Sequence, residues 1–401
     1  MTRLRRPMGE SRATDKSGMS VISSRPTAPV APRTVKHPLA WYMPRFWHGM
    51  RLTTWLRELV RNRVAVSPSR VPMACAITCF TLVNSVLAGM ERFIYGRRID
   101  AVELAEPPLF ILGHWRAGTT FLHELMIRDP AHAYATTYQC FMPHHFVLSE
   151  RFIKPLVGVF MPERRPMDNM PAGWDRPMED EFALANLGQP TPYLSMMFPN
   201  RGEKYPEYLS LRDLTAPQRE AWKQALMQFL KSRSLNDPRR IVIKSPGHTA
   251  RVRTLLEMFP RAKFIHIARD PHVLYSSTIK LWQALNTEEG LQAVRDDSWL
   301  GQSVIDALRR MYDAYLEDRS LLGHDQLVEL RYEDLIEDPA TQVRSIYERL
   351  QLGDFTRIEP ALSAHLAEVR NYRTNRHNIN EPVRELVRHE WLRYFEECGY
   401  E

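Results

Sequence analysis

The chain has 401 residues, 44% of them hydrophobic, and a formal charge of +7. That length accommodates one large α/β domain or two smaller ones, and four cysteines (Cys75, Cys79, Cys140, Cys398) give neither a disulfide framework nor zinc spacing. The basic excess suits an anionic cofactor or membrane surface, and with basic residues spread along the chain and no nucleic-acid motif, it does not point to DNA or RNA.

Residues 1–40 read as a disordered leader: the stretch up to His37 is rich in Arg, Ser, Thr and Pro and has no apolar run or secretory core. Residues 41–98 form an N-terminal extension that starts basic and aromatic and continues as an apolar helix. In Trp41–Arg63, three tryptophans (Trp41, Trp47, Trp55) stand beside arginines, a pattern that fits either peripheral membrane contact or packing on the main domain. Val71–Met90 carries no charge and is just long enough to cross hydrocarbon. Its Thr78, Thr81, Asn84 and Ser85, and its continuation into ERFIYGRRI, favour a buried or interfacial helix over a spanning one.

Pro108–Leu125 then reads PLFILGHWRAGTTFLHEL: an apolar strand, a glycine-bounded loop and a helix opened by two threonines. This is a phosphate-binding loop, in which backbone N–H groups and the helix dipole hold an anion. The nucleotide-triphosphate version carries lysine after the second glycine. Here Gly113 and Gly118 keep the spacing, Thr119 occupies the lysine position, and the cation is Arg116 inside the loop. Further short strands are expected at about Ala133–Thr137, Ile241–Ile243, Phe264–Ala268 and Leu327–Leu330. Their alternation with longer helical patterns predicts an α/β fold, a P-loop-type parallel sheet of about five strands flanked by helices. Ligands of such sheets sit at the carboxyl ends of the strands, where Arg116, Lys244 and Arg269 all fall. After Arg269, Asp270 and Pro271 suit the N-cap and first turn of a helix. The proline-rich, largely helical insertion Phe141–Asp237 is expected to form an acceptor pocket and lid, and Glu381–Cys398 has helical spacing.

Taken together, these segments resemble the sulfotransferases that use 3′-phosphoadenosine 5′-phosphosulfate (PAPS), in their bacterial branch. The loop is similar to that family's 5′-phosphosulfate site, with Arg116 on the basic position, Ala117 on the small one, and Gly118, Thr119 and Thr120 on the remainder. Arg269 at a strand end and Ser277 eight residues on resemble its 3′-phosphate site, where a guanidinium fork and a hydroxyl meet phosphate. Lys244-Ser245-Pro246, Arg331-Tyr332-Glu333-Asp334-Leu335 and Pro177-Met178-Glu179-Asp180-Glu181 resemble three further family segments. The match covers residues 99–401, which are expected to be the catalytic domain.

The resemblance implies in-line transfer of a sulfuryl group from PAPS to a hydroxyl or amine acceptor, with release of adenosine 3′,5′-bisphosphate and no required metal. Gly113 and the residues named above would bind the cofactor, and Lys244 would stabilise the sulfuryl group and leaving oxygen. For the general base, Glu181 or Glu179 comes first and His145 next, with His144, Asp180 and His248 as further candidates; clustered carboxylates can raise one another's pKa, though acids after Pro177 also suit a helix start. The alternative function is a P-loop kinase or nucleotide hydrolase, which predicts a loop lysine and an acidic Mg²⁺ ligand ending a neighbouring strand. That lysine is absent, and Ile241–Ile243 runs into Lys244. The expected setting is cytoplasmic, with peripheral membrane contact through the extension.

Overall fold

The computed structural model describes residues 35, 37–40, 42–166, 170–369 and 380–401, so the expected leader lies almost wholly outside the described residues. Helices α1 (Leu52–Arg61) and α2 (Val71–Asp100) come first. Strand β1 (Leu109–Leu112) leads into α3 (Thr119–Met126), and β2 (His132–Tyr134) into α4 (Thr137–Phe141). Between α4 and β3 (Arg240–Lys244) lie α5 (Phe146–Val157), α6 (Asp180–Asn186), α7 (Ala216–Ser234) and, among the described residues, four short 3₁₀ turns. Next come α8 (Val252–Met258), β4 (Lys263–Ala268), α9 (Pro271–Glu289), α10 (Leu300–Asp318) and β5 (Leu327–Arg331). The remaining helices are α11 (Tyr332–Glu337), α12 (Pro339–Leu350), α13 (Glu359–Val369), α14 (Glu381–Glu390) and α15 (Leu392–Cys398).

The five strands form one parallel sheet in the order β2-β3-β1-β4-β5. Strand β1 lies in the middle, with all four of its residues buried, as befits a strand covered on both faces. Register decides what meets at the carboxyl edge. Ile111 pairs with Lys244 and Leu112 with His266, so Gly113, Lys244 and Arg269 leave the sheet close to one level. The expected second strand is shorter than its apolar run suggested. It stops at Tyr134 because Thr136 closes a capping box: its hydroxyl accepts from the Gln139 N–H at 3.3 Å, and its own N–H donates to Gln139 Oε1 at 3.1 Å. The Asp270-Pro271 helix start forms as the sequence predicts, with Asp270 Oδ1 accepting from the N–H groups of His272 (2.8 Å) and Val273 (3.2 Å).

The extension packs on the main body. Trp47 and Trp55 are fully buried and belong to the same hydrophobic cluster as the sheet. Helix α2 is held by its polar side chains: Trp55 Nε1 donates to Thr78 Oγ1 at 2.9 Å, the Leu52 N–H to Ser85 Oγ at 3.0 Å, and Asn84 Nδ2 to the carbonyls of His48 and Met50. Glu91 accepts from the Leu148 N–H at 2.9 Å in the first turn of α5, where helix N–H groups lack partners of their own. Burial pushes the Glu91 carboxyl up to about 7. Because that pKa lies above the unfolded value near 4.5, the native state holds the proton more tightly and stability falls as pH rises between the two. Denaturant titrations of wild type and Glu91→Gln should diverge between pH 5 and 7, with the wild type losing stability and the variant showing a flatter profile.

Candidate active site

Two glycines give the β1–α3 loop its shape. Gly113 has φ +145°, and a Cβ there would meet the Ile267 carbonyl oxygen at 2.6 Å; Gly118 has φ +101° and lies against the Tyr332 ring. Between them Arg116 adopts φ +70°, which costs a residue with a side chain roughly 1 kcal/mol. In this conformation its carbonyl accepts from Arg269 Nη1 at 2.8 Å, while its own Nε donates to Ser277 Oγ at 3.0 Å. The structure thus brings Arg116, Arg269 and Ser277 together, although they come from three elements. Arg269 also stacks on the Tyr332 ring, 4.1 Å from its centroid. Burial first, and then Tyr332, Arg116 and the nearby acids, set its pKa, with the net effect of lowering the guanidinium below the usual arginine range. Cationic groups held close together at glycine-shaped backbone on a helix N-terminus make a preorganised anion site.

The loop is anchored from behind. Gly113 N–H donates to Thr249 Oγ1 at 2.7 Å, and Thr278 Oγ1 donates to the Trp115 carbonyl at 3.2 Å. Ala117 and Thr119 are buried, and Thr120 faces a neighbouring cavity. That cavity encloses about 1160 Å³, part of it open to solvent. Phe46 of the extension, Phe141 and Phe182 of the insertion, and Trp282 and Leu285 of α9 supply apolar wall; Thr120, Glu179 and Lys244 are among its polar groups. The expected acceptor pocket in the insertion therefore has a counterpart, and the extension adds a wall to it.

Lys244 ends β3 at 3% exposure and donates to Glu179 Oε1 at 2.6 Å. Burial is the chief influence on Lys244 and lowers its pKa, opposed by Glu179. The other Glu179 oxygen accepts from the Tyr193 hydroxyl, which in turn receives the Trp115 indole N–H at 2.8 Å. One hydrogen-bond chain thus runs from the strand end to the donor loop. The neighbouring acids face elsewhere. Asp180 pairs with His248 Nε2 at 2.8 Å and Ser245 Oγ at 2.5 Å. Glu181 is 2% exposed and held by Arg251 at 2.5 and 3.1 Å and by Thr191 Oγ1 at 2.5 Å. His145 lies between Ser149 Oγ (2.8 Å) and Asn84 Oδ1 (3.2 Å), and burial holds its imidazole at about 4. Of the four expected catalytic residues, the structure brings Glu179 and Lys244 to the cavity wall and leaves Glu181 and His145 in structural pairings outside it. Sequence reasoning missed Tyr193 and the aromatic wall, and it placed Tyr332 in a family segment without foreseeing its contacts with Gly118 and Arg269. Trp115, inside the loop motif, was the one available signal.

The comparison with known proteins settles the family. The sequence profile described as "Sulfotransferase family" matches residues 107–357, which include both anion segments and the Glu179–Lys244 pair. The chain belongs to the sulfotransferase family. It is an enzyme that transfers a sulfuryl group from a sulfonate donor to an acceptor substrate, and the kinase or hydrolase alternative falls away. The chain is 41% identical over 361 residues to the omega-hydroxy-beta-dihydromenaquinone-9 sulfotransferase Stf3 of Mycobacterium bovis and to that of Mycobacterium tuberculosis, covering 90% of this chain and 92% of each relative. Among solved structures, sulfotransferase STF9 of Mycobacterium avium has a TM-score of 0.64 at 20% identity (87% of this chain, 92% of that one). STF1 of Mycobacterium tuberculosis has a TM-score of 0.59 at 19% identity (85% and 90%). These two show the shared α/β fold.

Two outcomes follow from this geometry. Gly118→Ala would place a methyl against the Tyr332 ring in a left-handed backbone conformation, so adenosine 3′,5′-bisphosphate affinity in titration calorimetry should fall at least about tenfold, as expected when backbone geometry is lost at an anion loop. Glu181→Gln leaves Arg251 buried without its counter-charge, so denaturant unfolding should show a loss of about 3–5 kcal/mol.

Proposed function

We propose that the sulfonate donor is PAPS and that the acceptor is the terminal hydroxyl of a long apolar molecule, in chemistry a hydroxylated polyprenyl quinol. The observation that carries this reading is the juxtaposition of Lys244, Glu179 and the loop residue Thr120 in the wall of one largely apolar cavity. The activity that names the Stf3 relatives, with an omega-hydroxylated menaquinone derivative as acceptor, supports the same chemistry.

A bound PAPS supplies an electrophilic sulfur and a bisphosphate leaving group. The chain's own residues bind it, orient it and move a proton. Gly113, Ala117, Gly118 and the N–H groups opening α3 cradle the 5′-phosphosulfate, helped by Arg116 and the hydroxyls of Thr119 and Thr120. Arg269 and Ser277 hold the 3′-phosphate, and their contacts with Arg116 couple the two anion sites. Lys244 reaches the cavity as a dry cation, able to stabilise charge developing on the sulfuryl and leaving oxygens. Glu179 accepts the hydroxyl proton as the acceptor oxygen attacks, with Tyr193 and Lys244 orienting its carboxylate. Glu181 and His145 keep the pocket's frame through Arg251 and through Ser149 and Asn84. In this reading residues 99–401 are the catalytic domain, the enzyme works in the cytoplasm, and the extension touches the membrane peripherally.

The test is transfer of radiolabelled sulfonate from PAPS to an ω-hydroxylated polyprenyl quinol in detergent. Glu179→Gln should lower kcat by about 10²–10⁴-fold with bisphosphate affinity kept, as for loss of a general base. Turnover of Glu179→Gln within about threefold of wild type would remove Glu179 from the proton transfer.

A further inference from the structure

Helix α2 is built inside out for a helix on a water-soluble surface. Between Val71 and Met90 its exposed positions carry only apolar or small residues: Val71, Pro72, Cys75, Ala76, Cys79, Phe80, Leu82, Val83, Val86, Gly89 and Met90. All the polar side chains of that stretch, Thr78, Thr81, Asn84 and Ser85, are turned toward the protein. A surface helix facing water shows the opposite distribution. The face continues past Met90 with Phe93, 92% exposed, and Ile94. It also continues sideways: Glu91 fixes the start of α5, whose Phe152 and Leu156 lie one turn apart and are exposed. From there the chain runs through Phe160, whose ring meets Tyr42 at 6.4 Å, to Met161 and Pro162 in the wall of the acceptor cavity.

Charge selects among the surfaces that could cover this face. Residues 41–98 hold nine arginines and two glutamates, and both glutamates, Glu58 and Glu91, are buried. The charge that the extension shows to solvent is therefore positive. A second copy packed face to face would set that positive fringe against itself. Residues 1–34 contain no apolar run to fill such a face. A helix crossing the bilayer would have to strip Asn84 and Glu91 of the partners that hold α2 to the body. An anionic bilayer surface meets both the apolar area and the positive fringe.

We propose that the exposed face of α2, with Phe152 and Leu156 of α5, docks on an anionic lipid bilayer with α2 lying in the interface, so that the cavity takes its acceptor directly from the membrane. The second half rests on the apolar-acceptor reading above; the docking face does not. At about 1.5 Å per residue, the 30 residues of α2 lay roughly 45 Å of helix along the surface.

The test is co-sedimentation of the full chain with phosphatidylcholine vesicles, with and without about one-third phosphatidylglycerol, a content that sets a negative surface potential. Wild type should bind the anionic vesicles, more weakly at high salt. The triple substitution Val83→Gln, Val86→Gln, Phe93→Gln, checked by its melting curve, should lower the partition at least about tenfold through lost apolar insertion. The same variant should turn over a short, water-soluble ω-hydroxy acceptor at the wild-type rate and a vesicle-borne long-chain acceptor more slowly. Absence of wild-type binding, equal binding by the variant, resistance of the bound protein to alkaline extraction, or a wild-type dimer that the variant abolishes would each overturn the proposal. Binding is scored without turnover. Vesicle binding lost in the variant therefore upholds the docking face even if neither alcohol is sulfonated, a result that would sink the acceptor reading alone.

Discussion

The contact between Lys244 and Glu179 is the constraint around which the site is arranged. A buried ammonium is tolerated only where a counter-charge meets it, and here the two groups lie 2.6 Å apart in the wall of an otherwise largely apolar cavity. The lysine is there because β3 ends level with β1 and β4, and the carboxylate because Glu179 is the residue that precedes α6. Tyr193 and Trp115 extend the contact to the loop, so the cavity and the β1–α3 loop share one hydrogen-bond chain. A shift of the loop would be felt at Glu179, and a shift of the insertion would be felt at the loop.

The backbone frame of the proposed anion site was legible in the sequence because local backbone demands dictate it. A strand that must turn tightly into a helix around an anion needs glycine at Gly113 and Gly118, and a helix that must start at once after β4 needs Asp270-Pro271. Strand alternation likewise announced the parallel sheet. Which member of the acidic run meets the cavity was not legible, for a physical reason. Glu179, Asp180 and Glu181 are adjacent in sequence, but the start of a helix fans them toward Lys244, His248 and Arg251, spaced along one segment 65 to 70 residues further on. Nothing in the run itself says which of the three meets the cavity. His145 carries the same lesson, since its partners Ser149 and Asn84 sit on two different helices. The overlong second strand is a milder case: Thr136 and Gln139 already spelled a capping box, and the β-favouring residues around them obscured it.

The extension shows how a uniform apolar stretch hides a directional design. Composition alone left α2 ambiguous between a buried, an interfacial and a spanning helix. The positions of four polar residues show the direction: Thr78, Asn84 and Ser85 hold the helix to the body, Thr81 is buried and bonds back to the Thr78 carbonyl, and none remains on the outer face. The same packing brings Phe46 into the cavity wall, so the part of the chain outside the family match contributes directly to the pocket.

In the proposed function, the carboxyl edge of this sheet binds a 3′,5′-bisphosphate nucleotide through Arg116, Arg269 and Ser277. Titration calorimetry of adenosine 3′,5′-bisphosphate and of ATP with Mg²⁺, on wild type and Arg269→Ala, tests it most directly. Metal-free binding of the bisphosphate in preference to ATP is expected, weakened by the substitution at least about tenfold, as for loss of a bidentate phosphate contact. A preference for ATP with Mg²⁺, or bisphosphate binding indifferent to Arg269, would contradict it.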